Sequence, residues 1–245
     1  MIMIPRKMAN WMRHISAGML GLMVTSTWAS VSSPQSILLT DTGMVQRYPC
    51  RLLVESRPAI QEGLTTYLIS VELTEKGDRM SSIFGTDVHP VRINVPEGVF
   101  NSPFNGSWSA SGVNPKLFEI MPEIQDDSFA TIGLTCGSKV SELERAEDPM
   151  MVQDPDALPW DVFFNTNGET SMTIDTFMGG AWFVLRTASN GDPIEGKVLV
   201  MQITTSGSIE GALNAQIFPG NGSFDQVKVR FAFDGLGSYE GVVIP

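Results

Sequence analysis

Histidine is nearly missing from this chain, since His14 and His89 are its only 2 histidines. Zinc hydrolases normally use several histidines, and a Ser–His or Cys–His enzyme needs one beside its nucleophile. His89 precedes Pro90 at the start of a predicted strand, and the chain has no Gly-x-Ser-x-Gly motif. We therefore expect none of these enzyme classes and interpret His89 as a surface or edge-strand residue.

Basic residues are also scarce. The chain has 16 Lys and Arg against 27 Asp and Glu, which gives a formal net charge of −11. Proteins that bind duplex nucleic acid need a basic surface to neutralise phosphates. The composition therefore excludes nucleic acid as a partner, whereas divalent cations or basic partners are compatible with it.

No apolar run reaches the length of ~20 residues that spans a bilayer. The most notable run, residues 15–24, follows a basic segment and precedes small residues, with Ala29 placed at −1 of a cleavage site. This pattern predicts a signal peptide over residues 1–29 and a secreted, extracellular or cell-surface protein. After cleavage we expect no stable membrane insertion. An uncleaved membrane anchor is the alternative.

The chain has only 2 cysteines, Cys50 and Cys136. Structural zinc sites need about four Cys or His ligands, which this chain cannot supply. In an exported protein, two cysteines most simply form one disulfide bond, which stabilises the fold. We therefore predict a disulfide bond between Cys50 and Cys136.

Short segments with alternating apolar and polar residues dominate the rest of the chain. Residues 64–74 and 88–95 are examples, and such segments follow one another at roughly ten-residue spacing between Gly/Pro turns. This pattern predicts an all-β, antiparallel β-sandwich of the immunoglobulin or cohesin type with long irregular loops. Residues 127–134 are predicted to form a strand, and the segments flanking Ser206-Gly207-Ser208 are predicted to form a hairpin.

The domain organisation follows from these patterns. Residues 30–47 are small and polar and predict a flexible leader. Residues 48–245 lack a convincing linker and predict a single β-sandwich domain. Within it, residues 96–115 are predicted to form a long ordered loop, and the acidic stretch 137–159 a solvated loop.

Calcium is the cofactor to consider, because it takes oxygen ligands from Asp, Asn and loop carbonyls. Three loop clusters carry such residues: Asp126 with Asp127, Asp154 with Asp156, and Asn190 with Asp192. None matches the EF-hand spacing, so the alternative is that these loops are simply solvated. Asp126 and Asp127 also adjoin the start of a predicted strand. They could cap the loop there or form a catalytic carboxylate pair.

Aromatic residues suggest a binding surface. Phe100, Phe104 and Trp108 recur every four residues, and a carbohydrate-binding module stacks sugars on exposed flat rings. The alternative is that these rings pack into the edge of the sandwich and close it. Asn105 and Asn221 each begin an Asn-Gly-Ser sequon and are predicted glycosylation sites if the source modifies secreted asparagines.

Six segments stand in a characteristic order along the chain: residues 77–85 (GDRMSSIFG), 114–118 (NPKLF), 127–133 (DSFATIG), 179–183 (GGAWF), 197–205 (KVLVMQITT) and 211–218 (GALNAQIF). The ordered set resembles a family of secreted, uncharacterised β-rich proteins of marine microbes, which occur alone or joined to surface and adhesion modules. The resemblance covers residues 64–220. It implies an extracellular module and assigns no catalytic residue.

These observations predict a non-catalytic extracellular structural, adhesion or matrix module whose partner is an extracellular protein or glycan. One alternative is a carbohydrate-binding module that uses exposed aromatics. A second alternative is a secreted glycan-active enzyme with a carboxylate pair.

Overall fold

The computed structural model describes residues 37–40, 43–220 and 225–245, so the predicted signal peptide (1–29) lies outside the described residues. Within these ranges the chain forms strands β1 (Ile37–Thr40), β2 (Gly43–Gln46), β3 (Cys50–Pro58), β4 (Thr65–Leu73), β5 (Arg79–Gly85), β6 (Val91–Asn94), β7 (Phe129–Ala130), β8 (Met150–Val152), β9 (Ser171–Ile174), β10 (Gly180–Phe183), β11 (Lys197–Thr205), β12 (Glu210–Phe218), β13 (Val227–Asp234), β14 (Gly237–Glu240) and β15 (Val242–Ile244). Helix α1 (Val162–Asn165) is a single turn, and 3₁₀ turns lie at Ala110–Gly112, Pro115–Leu117, Pro122–Asp126, Ser138–Val140 and Ser189–Gly191. Nowhere in the described ranges does a helix have the length and apolar character needed to cross a membrane.

The strands form two antiparallel sheets. The large sheet has the order β15-β13-β12-β5-β10-β8, with β6 beside β12 and β9 beside β6. The small sheet has the order β14-β3-β4-β11-β7, and β1 pairs with β2 in a separate two-stranded sheet. The predicted all-β, antiparallel sandwich is confirmed.

The main hydrophobic core lies between the two sheets because each strand points alternate side chains inward. On β3, Cys50, Leu52 and Val54 are buried in this core, whereas Arg51 and Glu55 are exposed. The largest fully buried side chain is that of Trp182 on β10. Burial of each large apolar side chain contributes about 1.5–3 kcal/mol.

A second hydrophobic cluster covers part of the outer face of the small sheet. It contains Ala110, Val113, Ile124, Phe129 and Cys136, and Leu199 of β11 packs against it. Val198, the neighbour of Leu199, belongs to the main core instead. Residues 109–140 therefore extend over part of the small sheet and also supply its edge strand β7, and we call them the covering segment.

The hairpin predicted around Ser206-Gly207-Ser208 is wrong. Strand β11 pairs with β4 and β7 in the small sheet, whereas β12 pairs with β13, β5 and β6 in the large sheet. Gly207 is not among the residues with positive φ, the conformation that tight hairpin turns use. The chain consequently crosses from one layer to the other at this point.

Other strand boundaries also differ from the sequence prediction. The strand predicted over residues 127–134 shrinks to Phe129–Ala130, and Gly133 within the predicted range has a φ of 70°, outside the extended region. Strands β1 and β2 lie in the range predicted as a flexible leader, and β8 lies in the acidic stretch predicted as a solvated loop.

The predicted disulfide bond between Cys50 and Cys136 is also wrong, since both cysteines are free and buried. Cys50 lies in the main core between the sheets, and Cys136 lies in the covering segment on the outer face of the small sheet. The small sheet therefore separates the two thiols. Burial raises the pKa of Cys50 to about 12 and also raises the pKa of Cys136.

We expect both thiols to react slowly with a thiol reagent in the native protein at pH 8, because the reactive thiolate is disfavoured in both buried groups. In denaturant, both should react at the rate of an ordinary cysteine. The measurement is absorbance-based thiol titration with and without guanidinium chloride. Non-reducing peptide mapping that links Cys50 to Cys136 would contradict this prediction.

Candidate functional site

Asp126 ties the covering segment to the small sheet. It ends the 3₁₀ turn Pro122–Asp126, and its side chain is fully buried. Its carboxylate accepts hydrogen bonds from Arg57 Nη1 (3.1 Å) and from the Gln61 backbone N–H (2.9 Å). A second nitrogen of Arg57 donates to the Gln125 carbonyl. The buried charge of Asp126 is therefore balanced by a guanidinium group at the end of β3.

Asp127 is buried in a different set of hydrogen bonds. Its carboxylate accepts from the Ser102 backbone N–H (2.6 Å) and from Asn105 Nδ2 (2.5 Å). Its carbonyl oxygen accepts from Gln202 Nε2 at 2.6 Å. Burial raises the pKa of Asp127 to about 7, although its hydrogen bonds lower the pKa. No basic side chain forms an ion pair with Asp127 among the described residues.

Asn190 and Asp192, the third predicted calcium cluster, point to different partners. Asn190 Oδ1 accepts from the Glu147 N–H at 3.0 Å, and Asn190 Nδ2 donates to the Ile132 carbonyl at 2.7 Å. Asn190 thereby connects the acidic stretch to the covering segment. Asp192 lies at the surface, 3.4 Å from Arg79 Nη2.

Asp154 and Asp156 form a local turn, in which the Asp156 N–H donates to Asp154 Oδ1 at 3.0 Å. In the part of the chain that the structure describes, no three His, Cys, Asp or Glu side chains form a group that could hold a metal ion. The predicted ligand pairs are thus not brought together into one cluster, and calcium binding stays a prediction.

The three aromatics predicted to stack on sugars do not form one exposed platform. Only Phe104 is well exposed, at 47%. Trp108 packs edge-on against Trp160, with ring centroids 5.3 Å apart, and Trp160 in turn contacts Trp182 at 5.4 Å. Phe100 is half-buried. The four-residue spacing would align these rings on one face of a helix or of a strand, and residues 100–108 form neither.

Asn105, one of the two predicted glycosylation sites, has a buried side chain. Its Nδ2 atom, to which a glycan would be attached, donates to Asp127 and to the Ser109 carbonyl. A glycan would replace one of the two Nδ2 hydrogens, so at least one of these hydrogen bonds would be lost and the buried site disfavours the modification. Asn221 lies outside the described residues.

His89 lies in the loop between β5 and β6 and is half-buried. Its carbonyl oxygen accepts from Asn214 Nδ2 at 2.7 Å, and its backbone N–H donates to Thr86 Oγ1 at 3.1 Å. Its Nε2 atom is buried and has no hydrogen-bond partner. This geometry fixes the backbone of the loop and places no hydroxyl or thiol on the Nε2 atom.

The most distinctive surface is the outer face of the large sheet, which sequence reasoning missed. Strand pairing places Val152, Ala181 and Phe84 in one row and Met150 and Phe183 in the next. We call this surface the apolar face and define it by Phe84, Met150, Val152, Phe183 and Leu185. Met150, Val152 and Leu185 are 41%, 55% and 52% exposed. Their inward neighbours Trp182 and Val184 are buried, as the alternation requires.

Strand β8 is an edge strand of the large sheet, and two of its residues belong to the apolar face. The Val184 N–H donates to the Ser81 carbonyl, so Val184 and Trp182 direct their backbone groups towards β5. Ala181 and Phe183 consequently direct theirs towards β8. By the same alternation, Met151 directs its N–H and carbonyl away from β10. No described strand pairs with β8 on that side.

Acidic residues surround this open edge. Residues 142–156 contain 6 acidic residues and one basic residue, Arg145. Glu147 and Asp148 precede β8, and Asp154 and Asp156 follow it. None of these four carboxylates belongs to an ion pair within the described ranges. The edge thus combines apolar side chains with unneutralised negative charge.

Comparisons with protein-family models, curated proteins and solved structures find no match for this chain. The resemblance to secreted β-rich proteins of marine microbes therefore stays a prediction. The three apolar residues Met150, Met151 and Val152 between Pro149 and Gln153 are the signal that could have revealed β8 in the sequence.

Replacement of Arg57 with Gln should lower the free energy of unfolding by about 2–3 kcal/mol, because it leaves the buried Asp126 carboxylate without its cation. The matched control is Arg51→Gln, which breaks an exposed pair with Glu240 and should cost about 0–1 kcal/mol. Urea unfolding at pH 7 measures both. Equal effects of the two substitutions would contradict the structural role of Arg57.

The raised pKa of Asp127 predicts a pH-dependent stability. Between the unfolded pKa of 3.8 and the folded pKa of about 7, the folded state binds the proton more tightly, so this group's contribution to stability falls as pH rises. The Asp127→Asn variant should lack this component. Relative to wild type, the variant should therefore gain stability between pH 4.5 and pH 8, on the order of a few kcal/mol.

Urea unfolding of the wild type and Asp127→Asn at both pH values tests this expectation. Glu62→Gln is the control, since Glu62 is exposed and should not change the pH dependence. If the difference in unfolding free energy between wild type and Asp127→Asn is the same at both pH values, the expectation is disproved.

Proposed function

We propose that this chain is a non-catalytic structural or adhesion module of the extracellular space that binds an extracellular protein or glycan through the apolar face. The observation that carries the proposal is the exposure of Met150 and Val152 on β8, and of Leu185 just after β10, on the outer face of the large sheet. Exposed apolar patches of this kind are typical of interaction surfaces.

The two faces of the sandwich differ, and this difference supports the proposal. The covering segment buries the part of the small sheet's outer face around Leu199 in its own hydrophobic cluster. The apolar face has no equivalent cover among the described residues. Removal of its apolar side chains from water would favour association with a partner by about 25 cal/mol per Å² of buried surface.

The apolar face is also rigidly supported. Its residues on β5 and β10 belong to a continuous antiparallel ladder, and the opposite side of that ladder packs Ile83 and Trp182 into the core. A preformed surface loses little conformational entropy on binding. This property suits a module that holds a partner in place.

The buried polar groups support a structural role. Asp126 is held by Arg57, and Asp127 by Ser102 and Asn105, so both carboxylates connect loops. We propose on this basis that the pair stabilises the fold and takes no part in glycan hydrolysis.

Retention on a panel of immobilised polymers tests the proposal, with the panel comprising alginate, chitin, cellulose, mucin and collagen. The wild type should be retained on at least one polymer without cleaving it. Leu185→Lys should reduce that retention about tenfold, because it places a charge on the apolar face. Leu236→Lys is the matched control, since Leu236 is equally exposed, at 57%, in the turn between β13 and β14.

Three results would argue against the proposal. Release of soluble fragments from any polymer would indicate an enzyme. Retention that Leu185→Lys leaves unchanged would exclude the apolar face as the binding surface. Failure of the wild type to bind any polymer would remove the support for an adhesion role.

A further inference from the structure

The open edge of β8 has a backbone pattern that another strand can complete. β8 is the last strand on its side of the large sheet. Met151 directs its N–H and carbonyl outwards, as the hydrogen bond between Val184 and Ser81 requires. Proteins commonly protect such edges with short strands, lysine, proline or bulges; β8 is short and follows Pro149, but its own residues, Met-Met-Val, include no lysine and no proline. Its backbone groups therefore offer a docking site for an extended peptide.

The side chains of β8 extend this site. Met150 and Val152 both point to the apolar face, in line with Phe183 and Ala181 of β10. An added strand would place alternate side chains on the same surface, beside Met150 and Val152. The edge therefore favours a strand with apolar residues at every second position.

The charges around β8 decide which partner fits. Glu147 and Asp148 lie at one end of the strand, and Asp154 and Asp156 lie at the other. A second copy of this chain paired antiparallel with β8 would place its own carboxylates opposite these four, and like charges opposite each other destabilise a sheet. Lys or Arg residues at both ends of a partner strand would instead neutralise them.

From these observations we infer that the open edge of β8 binds an extended basic segment of a partner protein by strand addition. The apolar residues of that segment cover Met150 and Val152, and its Lys or Arg residues meet the carboxylates at both ends of β8. This inference rests on the proposed interaction role and adds the chemistry of the partner.

A fluorescein-labelled peptide with three valines alternating with threonines between pairs of lysines is the probe. It should bind the wild-type protein in a fluorescence anisotropy titration, and binding should weaken as salt is added. Two control peptides should bind at least about tenfold more weakly, a difference of about 1.4 kcal/mol. One has glutamates in place of the lysines, and the other has a proline in place of the central valine.

Protein variants locate the site. Val152→Lys should weaken peptide binding about tenfold, whereas Val242→Lys, on the opposite edge strand β15, should not. The double variant Asp154→Asn/Asp156→Asn should also weaken binding and reduce its salt dependence. Glu62→Gln/Glu119→Gln, which removes two exposed carboxylates elsewhere, is its control. Hydrogen exchange of the Met151 amide should slow when the lysine peptide is bound.

Three results would overturn the inference. The lysine and glutamate peptides could bind equally well, or the lysine peptide could fail to bind. Val242→Lys could also weaken binding as much as Val152→Lys does. A concentration-dependent dimer in sedimentation that Val152→Lys abolishes would also overturn it, because the occupant would then be a second copy. If the peptide fails while retention on polymers still depends on Leu185, the inference fails and the proposed function stands.

Discussion

The packing of the covering segment onto the outer face of the small sheet is the constraint on which the other features depend. Leu199 of β11 points away from the main core, and residues 109–140 bury it in a second hydrophobic cluster. The small sheet is therefore covered on its outer face around β11, although Arg51 and Glu55 of β3 stay exposed, whereas the apolar face of the large sheet is left open.

A loop that lies on a sheet must satisfy its backbone polar groups without water, and the buried side chains of this chain do so. Gln202 donates to the carbonyls of Gln125 and Asp127, and Asn190 donates to the carbonyl of Ile132. Asp126 and Asp127 accept from donors on β3 and on the neighbouring loops. Residues that resemble metal ligands in the sequence thus hold the covering segment in place.

The accuracy of sequence reasoning varied with the range of the interactions involved. Alternation in β4 and β6 is visible in the sequence because it depends on neighbouring residues, and both strands are present. The disulfide prediction depended on how residues 50 and 136 approach each other, which no local pattern shows. The aromatic platform depended on the local conformation of residues 100–108, which form neither a helix nor a strand and bring only Trp108 against Trp160.

The sequence alone therefore determined the fold class and the net charge, because strand periodicity and charge are properties of the chain itself. Only the tertiary structure decided that β11 and β12 enter different sheets, that the two cysteines lie on opposite sides of the small sheet, and that β8 ends the large one. These features depend on contacts between residues far apart in the chain. The free energy of these arrangements depends on which surfaces pack together. The pattern of neighbouring residues does not specify which surfaces those are.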